Sequence, residues 1–153
     1  MTHHYPGTTA DQFAVIDTLI RFAAGVDLKD PALLASSFAE HAVSDFRPAA
    51  AKAGFSYPVL EGRANIVSTL TAALDALDTT HSVSNPRATI DGNTARLDAL
   101  VEAQHVPRSD PARHYLMKNR YDVALVRHGD GWLIERVTVD NVWRTGDPSV
   151  LGV

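Results

Sequence analysis

The 153-residue chain contains no cysteine, so disulfide bonds, thiol nucleophiles and cysteine-ligated metal sites are excluded. This absence is compatible with a reducing compartment, and we expect a cytoplasmic protein. Long hydrophobic runs are also missing, because no stretch approaches the roughly 20 apolar residues that a membrane-spanning helix needs. The opening segment MTHHYPGTTA has no apolar core, which argues against a signal peptide or a membrane anchor.

The sequence also lacks an excess of positive charge. Its formal net charge is -4, whereas nucleic acids and anionic membranes are recognised through basic patches, so we expect neither as a partner. A glycine-rich phosphate loop, an HExxH zinc motif and a GxSxG nucleophile motif are absent too. What is present is a hydrophobic content of 45%, which fits one domain large enough to bury a core.

Helical spacing and proline positions divide the first half of the chain into three predicted helices. After a flexible segment over 1–10, Asp11 is predicted to cap a helix that runs to about Val26. A second helix, PALLASSFAE, begins after Asp30, and a third opens at Gly62. A strand at about 41–46 and a short strand at about 55–60 are predicted between them, and the small-residue segment that joins these two strands is predicted to be a loop.

From Thr79 onward the apolar period changes from 3.6 to 2, which predicts four long strands. They cover residues 80–90, 94–106, 114–126 and 132–143. Asp91-Gly92 is a two-residue hairpin signal between the first two strands. Helices followed by an antiparallel meander predict an α+β domain with the helices on one face of a curved sheet. Small inward residues on the second long strand predict a pocket between the layers.

One acid lies on the apolar stripe of the first helix. At 100° per residue, Asp27 returns to within about 20° of Ile16, on a stripe shared with Ile20 and Ala23. Burying a lone carboxylate costs several kcal/mol unless a partner compensates it, and the negative end of the helix dipole adds to this cost. Asp27 therefore needs a partner, unless it is only a structural cap.

Three other polar residues are predicted to point inward. They are His81, at the mouth of the first long strand, His105, on the apolar face of the second, and Asn119, on that of the third. An aspartate that accepts a hydrogen bond from one imidazole nitrogen leaves the other nitrogen as a base. His81 and His105 are both open as partners of Asp27. Each histidine has a structural alternative as a core or rim residue, and Asn119 as a bridge between backbone groups.

Three segments resemble the SnoaL-like branch of the nuclear-transport-factor-2-like (NTF2-like) superfamily. They are GVDLKDPALLASSFAEHA, TTHSVSNPRATIDGNTA and NRYDVALVRHGDGWLIERV. The resemblance spans roughly residues 11–145, which we predict to form the domain. It implies a cystatin-like cone, with N-terminal helices on a mixed, mostly antiparallel sheet that encloses a pocket. It also implies a homodimer or homotrimer and a C-terminal tail over 146–153 that covers the pocket.

Within this superfamily the chain is similar to the scytalone dehydratase and hexachlorocyclohexane dehydrochlorinase branch. That similarity implies that Asp27 and His81 are catalytic and that His105 and Asn119 contact the substrate. Other pocket positions differ from both enzymes, since their hydroxyl and cationic helper groups are replaced by apolar side chains. These positions are Phe22, Val26, Phe46, Met117 and Val139, of which Phe46, Met117 and Val139 are predicted to contact the substrate. Neither enzyme's substrate is therefore implied.

Together these features predict a small-molecule lyase or isomerase with dehydratase-like chemistry. His81, oriented by Asp27, would abstract a proton from a carbon next to an activating group, while His105 and Asn119 stabilise the departing group or the enolate. We expect no metal and no organic cofactor, and a small, largely apolar substrate that is cyclic or aromatic. The alternatives are a non-catalytic ligand-binding protein of the same fold and a structural subunit resembling the β chain of ring-hydroxylating dioxygenases.

Overall fold

The computed structural model describes residues 7–153. In chain order the elements are α1 (Thr9–Asp27), α2 (Pro31–Ala35), β1 (Phe38–Asp45), α3 (Arg47–Ala53), β2 (Leu60–Glu61), α4 (Arg63–Leu74), β3 (Leu77–Asp91), β4 (Thr94–Pro107), β5 (Tyr115–His128), β6 (Gly131–Gly146) and a 3₁₀ turn (Pro148–Leu151). The first six residues of the predicted flexible segment lie outside the described residues.

The strands form one mixed sheet in the order β2-β1-β6-β5-β4-β3. The four long strands β3 to β6 pair antiparallel with their sequence neighbours. Strand β1 lies parallel to β6 and antiparallel to the short β2. The sheet is curled but not closed, and α1 packs against β3 and β6. The predicted α+β architecture and the mostly antiparallel curved sheet are confirmed.

Alternating burial along β4 shows why this part of the chain forms strands. Inward residues of β4 are buried against the helices, whereas the residues between them are only partly buried or exposed. The small residues Ala95, Ala99 and Ala103 lie on the buried face as predicted. Asp91-Gly92 turns the chain into β4, and Gly92 adopts a φ of 59°, a conformation that glycine tolerates without strain.

The N-terminal cap of α1 differs from the prediction. Thr8, not Asp11, is the cap residue, and its hydroxyl accepts a hydrogen bond from the backbone N–H of Asp11. The Asp11 carboxylate instead pairs with Arg127 at 2.9 Å, which ties the start of α1 to β5. The helix therefore begins at Thr9, within the segment predicted to be flexible.

Two boundaries in the following region are also corrected. The predicted second helix ends at Ala35 rather than continuing to residue 40, because the Ser37 hydroxyl binds the Leu34 carbonyl and β1 begins at Phe38. The predicted loop over 47–53 is helix α3. Its alanines have the highest helix propensity of any residue. Gly54 ends it in the left-handed conformation at a φ of 88°.

The buried stripe of α1 is rotated by one position from the predicted stripe. Its largest buried side chains are those of Val15, Leu19, Phe22 and Val26, whereas Ile20 is 45% exposed. The helix is apolar on nearly every side, so the spacing of its apolar residues does not determine which face of the helix packs against the sheet. Asp27 consequently lies at the border of the buried face, with its side chain 21% exposed.

Candidate functional site

The last turn of α1 meets the beginning of β3 through the Asp27 carboxylate. Oδ1 lies 2.6 Å from His81 Nδ1 and accepts a hydrogen bond from the Thr79 hydroxyl at 2.9 Å. Oδ2 accepts a bond from the backbone N–H of His81 at 2.7 Å. Thr79 and His81 are two positions apart, so both side chains lie on the same face of the strand. Three hydrogen bonds thus compensate the partial burial of the carboxylate, and the imidazole that partners Asp27 is His81.

These contacts decide which His81 nitrogen carries the hydrogen. Burial alone would raise the pKa of Asp27, but hydrogen bonds from His81 and Thr79 outweigh it and leave this pKa below its usual value. Asp27 is therefore a carboxylate at neutral pH and can only accept hydrogen bonds. His81 must then donate from Nδ1, and in the neutral imidazole its Nε2 holds an unshared electron pair.

His81 borders a cavity of about 110 Å³ between the helices and the sheet. This is of the order of engineered apolar cavities of about 150 Å³ that hold benzene. The polar side chains that line it are those of Ser44, Tyr57, His81, His105 and Tyr121. The others are apolar: Phe22, Val26, Phe46, Phe55, Leu60, Leu70, Ala73, Leu74, Val137, Val139, Leu151 and Val153. With no lysine, arginine or carboxylate in its lining, the cavity suits a small, neutral, largely apolar molecule.

His105 lies beside His81 with its ring edge-on, at 5.9 Å between centroids. Its Nδ1 is 2.9 Å from the carbonyl oxygen of Tyr115. Because a carbonyl only accepts, Nδ1 must carry the hydrogen and Nε2 is an acceptor. Burial lowers the pKa of His105 to about 4, so the ring is neutral at pH 7. In this tautomer Nε2 cannot donate a hydrogen bond to a departing anion, which was the role expected of His105.

The other predicted substrate contacts fall into two groups. Phe46 and Val139 line the cavity, whereas Met117 and Asn119 are 1% exposed and are not among its lining residues. The side-chain oxygen Oδ1 of Asn119 accepts a hydrogen bond at 3.0 Å from the side-chain amide Nδ2 of Asn141, which is also buried. Asn119 thus forms part of a buried amide pair that does not line the cavity, an arrangement close to its structural alternative.

The C-terminal tail reaches the cavity. Val150 is buried, and Leu151 and Val153 form part of the lining.

Within residues 7–153, no group of three or more histidine and carboxylate side chains is arranged to hold a metal ion. None of the helices described is long and apolar enough to cross a membrane.

Sequence reasoning missed four polar residues of the site, namely Ser44, Tyr57, Thr79 and Tyr121. Thr79 could have been found, because it precedes His81 by two positions and so shares its face of the strand. Tyr121 is two positions from Asn119 and so shares its predicted inward face, but the pattern does not distinguish a functional hydroxyl there from an aromatic ring that only fills the wall. Tyr57 lies in an irregular segment before β2, where no periodicity indicates which way a side chain points.

A curled mixed sheet covered by helices, with a cavity between the two layers, defines the NTF2-like class of small α+β proteins. A family model described as a SnoaL-like domain matches residues 7–138, and the chain therefore belongs to the SnoaL-like family. The resemblance inferred from the three sequence segments is confirmed.

Solved structures of the same fold cover most of the chain. A proposed aromatic ring hydroxylase from Novosphingobium aromaticivorans is 25% identical, with a TM-score of 0.81 over 95% of this chain and 99% of that one. A proposed scytalone dehydratase from the same species is 19% identical, with a TM-score of 0.74 over 88% and 86%. The hexachlorocyclohexane dehydrochlorinase LinA-type3 from Novosphingobium barchaimii LL02 is 16% identical, with a TM-score of 0.72 over 91% of each chain. No curated protein matches the chain significantly.

Proposed function

We propose that the protein is a small-molecule lyase or isomerase in which Asp27 orients His81 as a base. The observation that carries this proposal is the 2.6 Å contact between Asp27 Oδ1 and His81 Nδ1. It turns Nε2 into a proton acceptor at the wall of an apolar cavity. The names of two fold relatives, a dehydratase and a dehydrochlorinase, support the same class of elimination chemistry.

In the proposed reaction, His81 Nε2 removes a proton from a carbon next to an electron-withdrawing group. The electron pair of the broken C–H bond either forms a double bond and expels a leaving group from the adjacent carbon, or passes into a carbonyl as an enolate. Asp27 stabilises the imidazolium that results. This imidazolium then returns its proton to the leaving group or to a carbon atom. A positioned base of this kind contributes about 10²–10⁴-fold to a rate, and the chemistry requires no cofactor.

The probe 5-nitrobenzisoxazole tests the base directly, because removal of its C3 proton breaks the N–O bond and releases a coloured cyanonitrophenolate. We expect the wild-type protein to accelerate this reaction and His81→Ala to lower kcat/KM by about 10²-fold. His128→Ala is the matched control, since His128 is exposed on the hairpin between β5 and β6 and should leave the rate unchanged. Equal rates for wild type and His81→Ala would overturn the proposal.

The second candidate is a non-catalytic subunit or binding protein of the same fold. It rests on the fold, which resembles that of the β chains of ring-hydroxylating dioxygenases, and one fold relative, at 25% identity over 95% of this chain, carries the name of a proposed aromatic ring hydroxylase. Such a subunit would not accelerate the probe reaction and would require a different chain as its partner.

Our proposal includes a homodimer or homotrimer, so the purified protein should show two or three times the chain mass in light scattering. A stable monomer would contradict that part of it.

A further inference from the structure

The phenol of Tyr121 borders the same space as the proposed base. Tyr121 lies in the middle of β5, opposite Ala99 of β4 and Val139 of β6, and lines the cavity. Its ring is 6.1 Å from the ring of Phe22, which in turn is 6.4 Å from the ring of His81. A small molecule in the cavity can therefore contact Tyr121 and His81 at the same time.

The hydroxyl of Tyr121 has no protein partner. In the part of the chain that the structure describes, no side-chain or backbone group forms a hydrogen bond with it, although the residue is only 5% exposed. Its oxygen is not among the fully buried side-chain atoms that lack a partner, so it remains accessible from the cavity that the residue lines. The hydroxyl is thus placed where a bound molecule, rather than the protein, can accept its hydrogen bond.

We propose that the Tyr121 hydroxyl donates the hydrogen bond that stabilises the negative charge on the substrate while His81 removes the proton. This inference rests on the proposed function. Burial, and to a smaller extent the charge of Asp27, raises the pKa of Tyr121, so the phenol keeps its proton and remains a donor. A preorganised donor that faces developing charge in a cavity is the arrangement of an oxyanion hole.

The other polar groups of the cavity are less suited to this role. His105 presents an acceptor nitrogen, because its Nδ1 donates to the Tyr115 carbonyl. Tyr57 packs against Phe46, with the two rings 5.6 Å apart, and has no ring contact with His81 or with Phe22 beside it. Ser44 is a weaker acid than a phenol and gives a weaker hydrogen bond to an anion. Tyr121 thus supplies a phenol donor in a cavity where both histidines present acceptor nitrogens.

The benzisoxazole reaction makes this role measurable. His81 takes the C3 proton, the C–H electron pair forms the nitrile, the N–O bond breaks, and the ring oxygen leaves as a phenolate that accepts the Tyr121 hydrogen bond. Tyr121→Phe should lower kcat by about 10²-fold, as loss of one oxyanion-hole donor does, while KM changes by less than about 3-fold. The reaction of unsubstituted benzisoxazole, whose phenolate is the poorer leaving group, should be slowed more than that of the 5-nitro compound, because the negative charge on its phenolate oxygen is more basic.

Tyr115→Phe is the matched control. It also removes a buried phenol hydroxyl, but one that does not line the cavity, and its kcat should stay within about 3-fold of wild type. The melting temperature of Tyr121→Phe should stay close to that of wild type, since the lost hydroxyl forms no hydrogen bond with the described part of the protein. A Tyr121→Phe variant with wild-type kcat, or with both benzisoxazoles slowed equally, would overturn this inference. If His81→Ala still lowers kcat/KM by about 10²-fold, only the role of Tyr121 fails and the proposed function stands.

Discussion

His105 should make the stability of the protein depend on pH in the mildly acidic range. Its pKa in the folded protein is about 4, because burial disfavours the imidazolium, against 6.5 for an exposed histidine. The unfolded chain therefore binds a proton first as the pH falls. The stability that the neutral ring contributes is fully present above pH 6.5 and is lost progressively down to about pH 4.

The magnitude follows from the two pKa values. Each pKa unit corresponds to about 1.4 kcal/mol, so the fall from 6.5 to about 4 limits the effect to about 3 kcal/mol. Domains of this size have unfolding free energies of about 5–15 kcal/mol, so the effect is large enough to measure. Urea unfolding at pH 7 and at pH 4.5 gives the free energy of unfolding under both conditions. We expect the wild type to lose about 2–3 kcal/mol more than His105→Gln between them.

His105→Gln will be less stable than wild type at pH 7, because it alters a buried ring, so the comparison rests on the difference between the two pH values. His128→Gln, at an exposed position, should show the wild-type pH dependence. Asp27 does not interfere, since its lowered pKa places its own loss of stability below pH 4. If His105→Gln and wild type lose the same free energy, the neutral buried state of His105 is wrong.

Two further substitutions test the packing around the site. The hydrogen bond from Arg47 is the largest cause that lowers the pKa of Asp45, and with the charge of Arg136 it outweighs burial and brings this pKa to about 2. The ionised Asp45 therefore stabilises the fold above about pH 4, and this stabilisation is lost as the pH falls toward 2. Asp45→Asn should cost about 1–2 kcal/mol at pH 7, given that its partners are partly exposed, and an unchanged urea midpoint would contradict this. A Cβ on Gly25 would lie 2.5 Å from the backbone nitrogen of Leu34. Gly25→Ala should therefore cost about 1–3 kcal/mol by separating α1 from α2, and an unchanged melting temperature would show that the two helices are not in close contact.

Residue patterns predicted the six strands, three of the four α-helices and the pairing of an acid with a histidine. The change of period after Thr79 predicted the long strands, because a half-buried strand must alternate. The cost of burying Asp27 required a partner, and only two inward histidines were available. The choice of His81 over His105 depended on family resemblance, since the sequence pattern does not show which histidine the end of α1 reaches.

The remaining errors have separate physical causes. Helix α1 is apolar on most sides, so its residue pattern is compatible with several different buried faces. Packing against the sheet determines which of these faces is buried, and the pattern alone does not show it. Helix α3 was missed because an alanine-rich segment between prolines is equally typical of a loop. Tyr121 was overlooked because an inward aromatic residue fills a wall with or without its hydroxyl. Only the arrangement in space shows that this hydroxyl lacks a partner.

The central claim is that Asp27 holds the hydrogen of His81 on Nδ1 and leaves Nε2 free to accept a proton. Nitrogen NMR of histidine-labelled protein at pH 8 observes this directly, because protonated and unprotonated ring nitrogens have different chemical shifts. In wild type, His81 should show a protonated Nδ1 and an unprotonated Nε2. Asp17→Asn, which removes a partly exposed acid of the same helix that pairs with Arg21, should not change this. Asp27→Asn should give a mixture of tautomers. A wild-type His81 with its hydrogen on Nε2 would contradict the account.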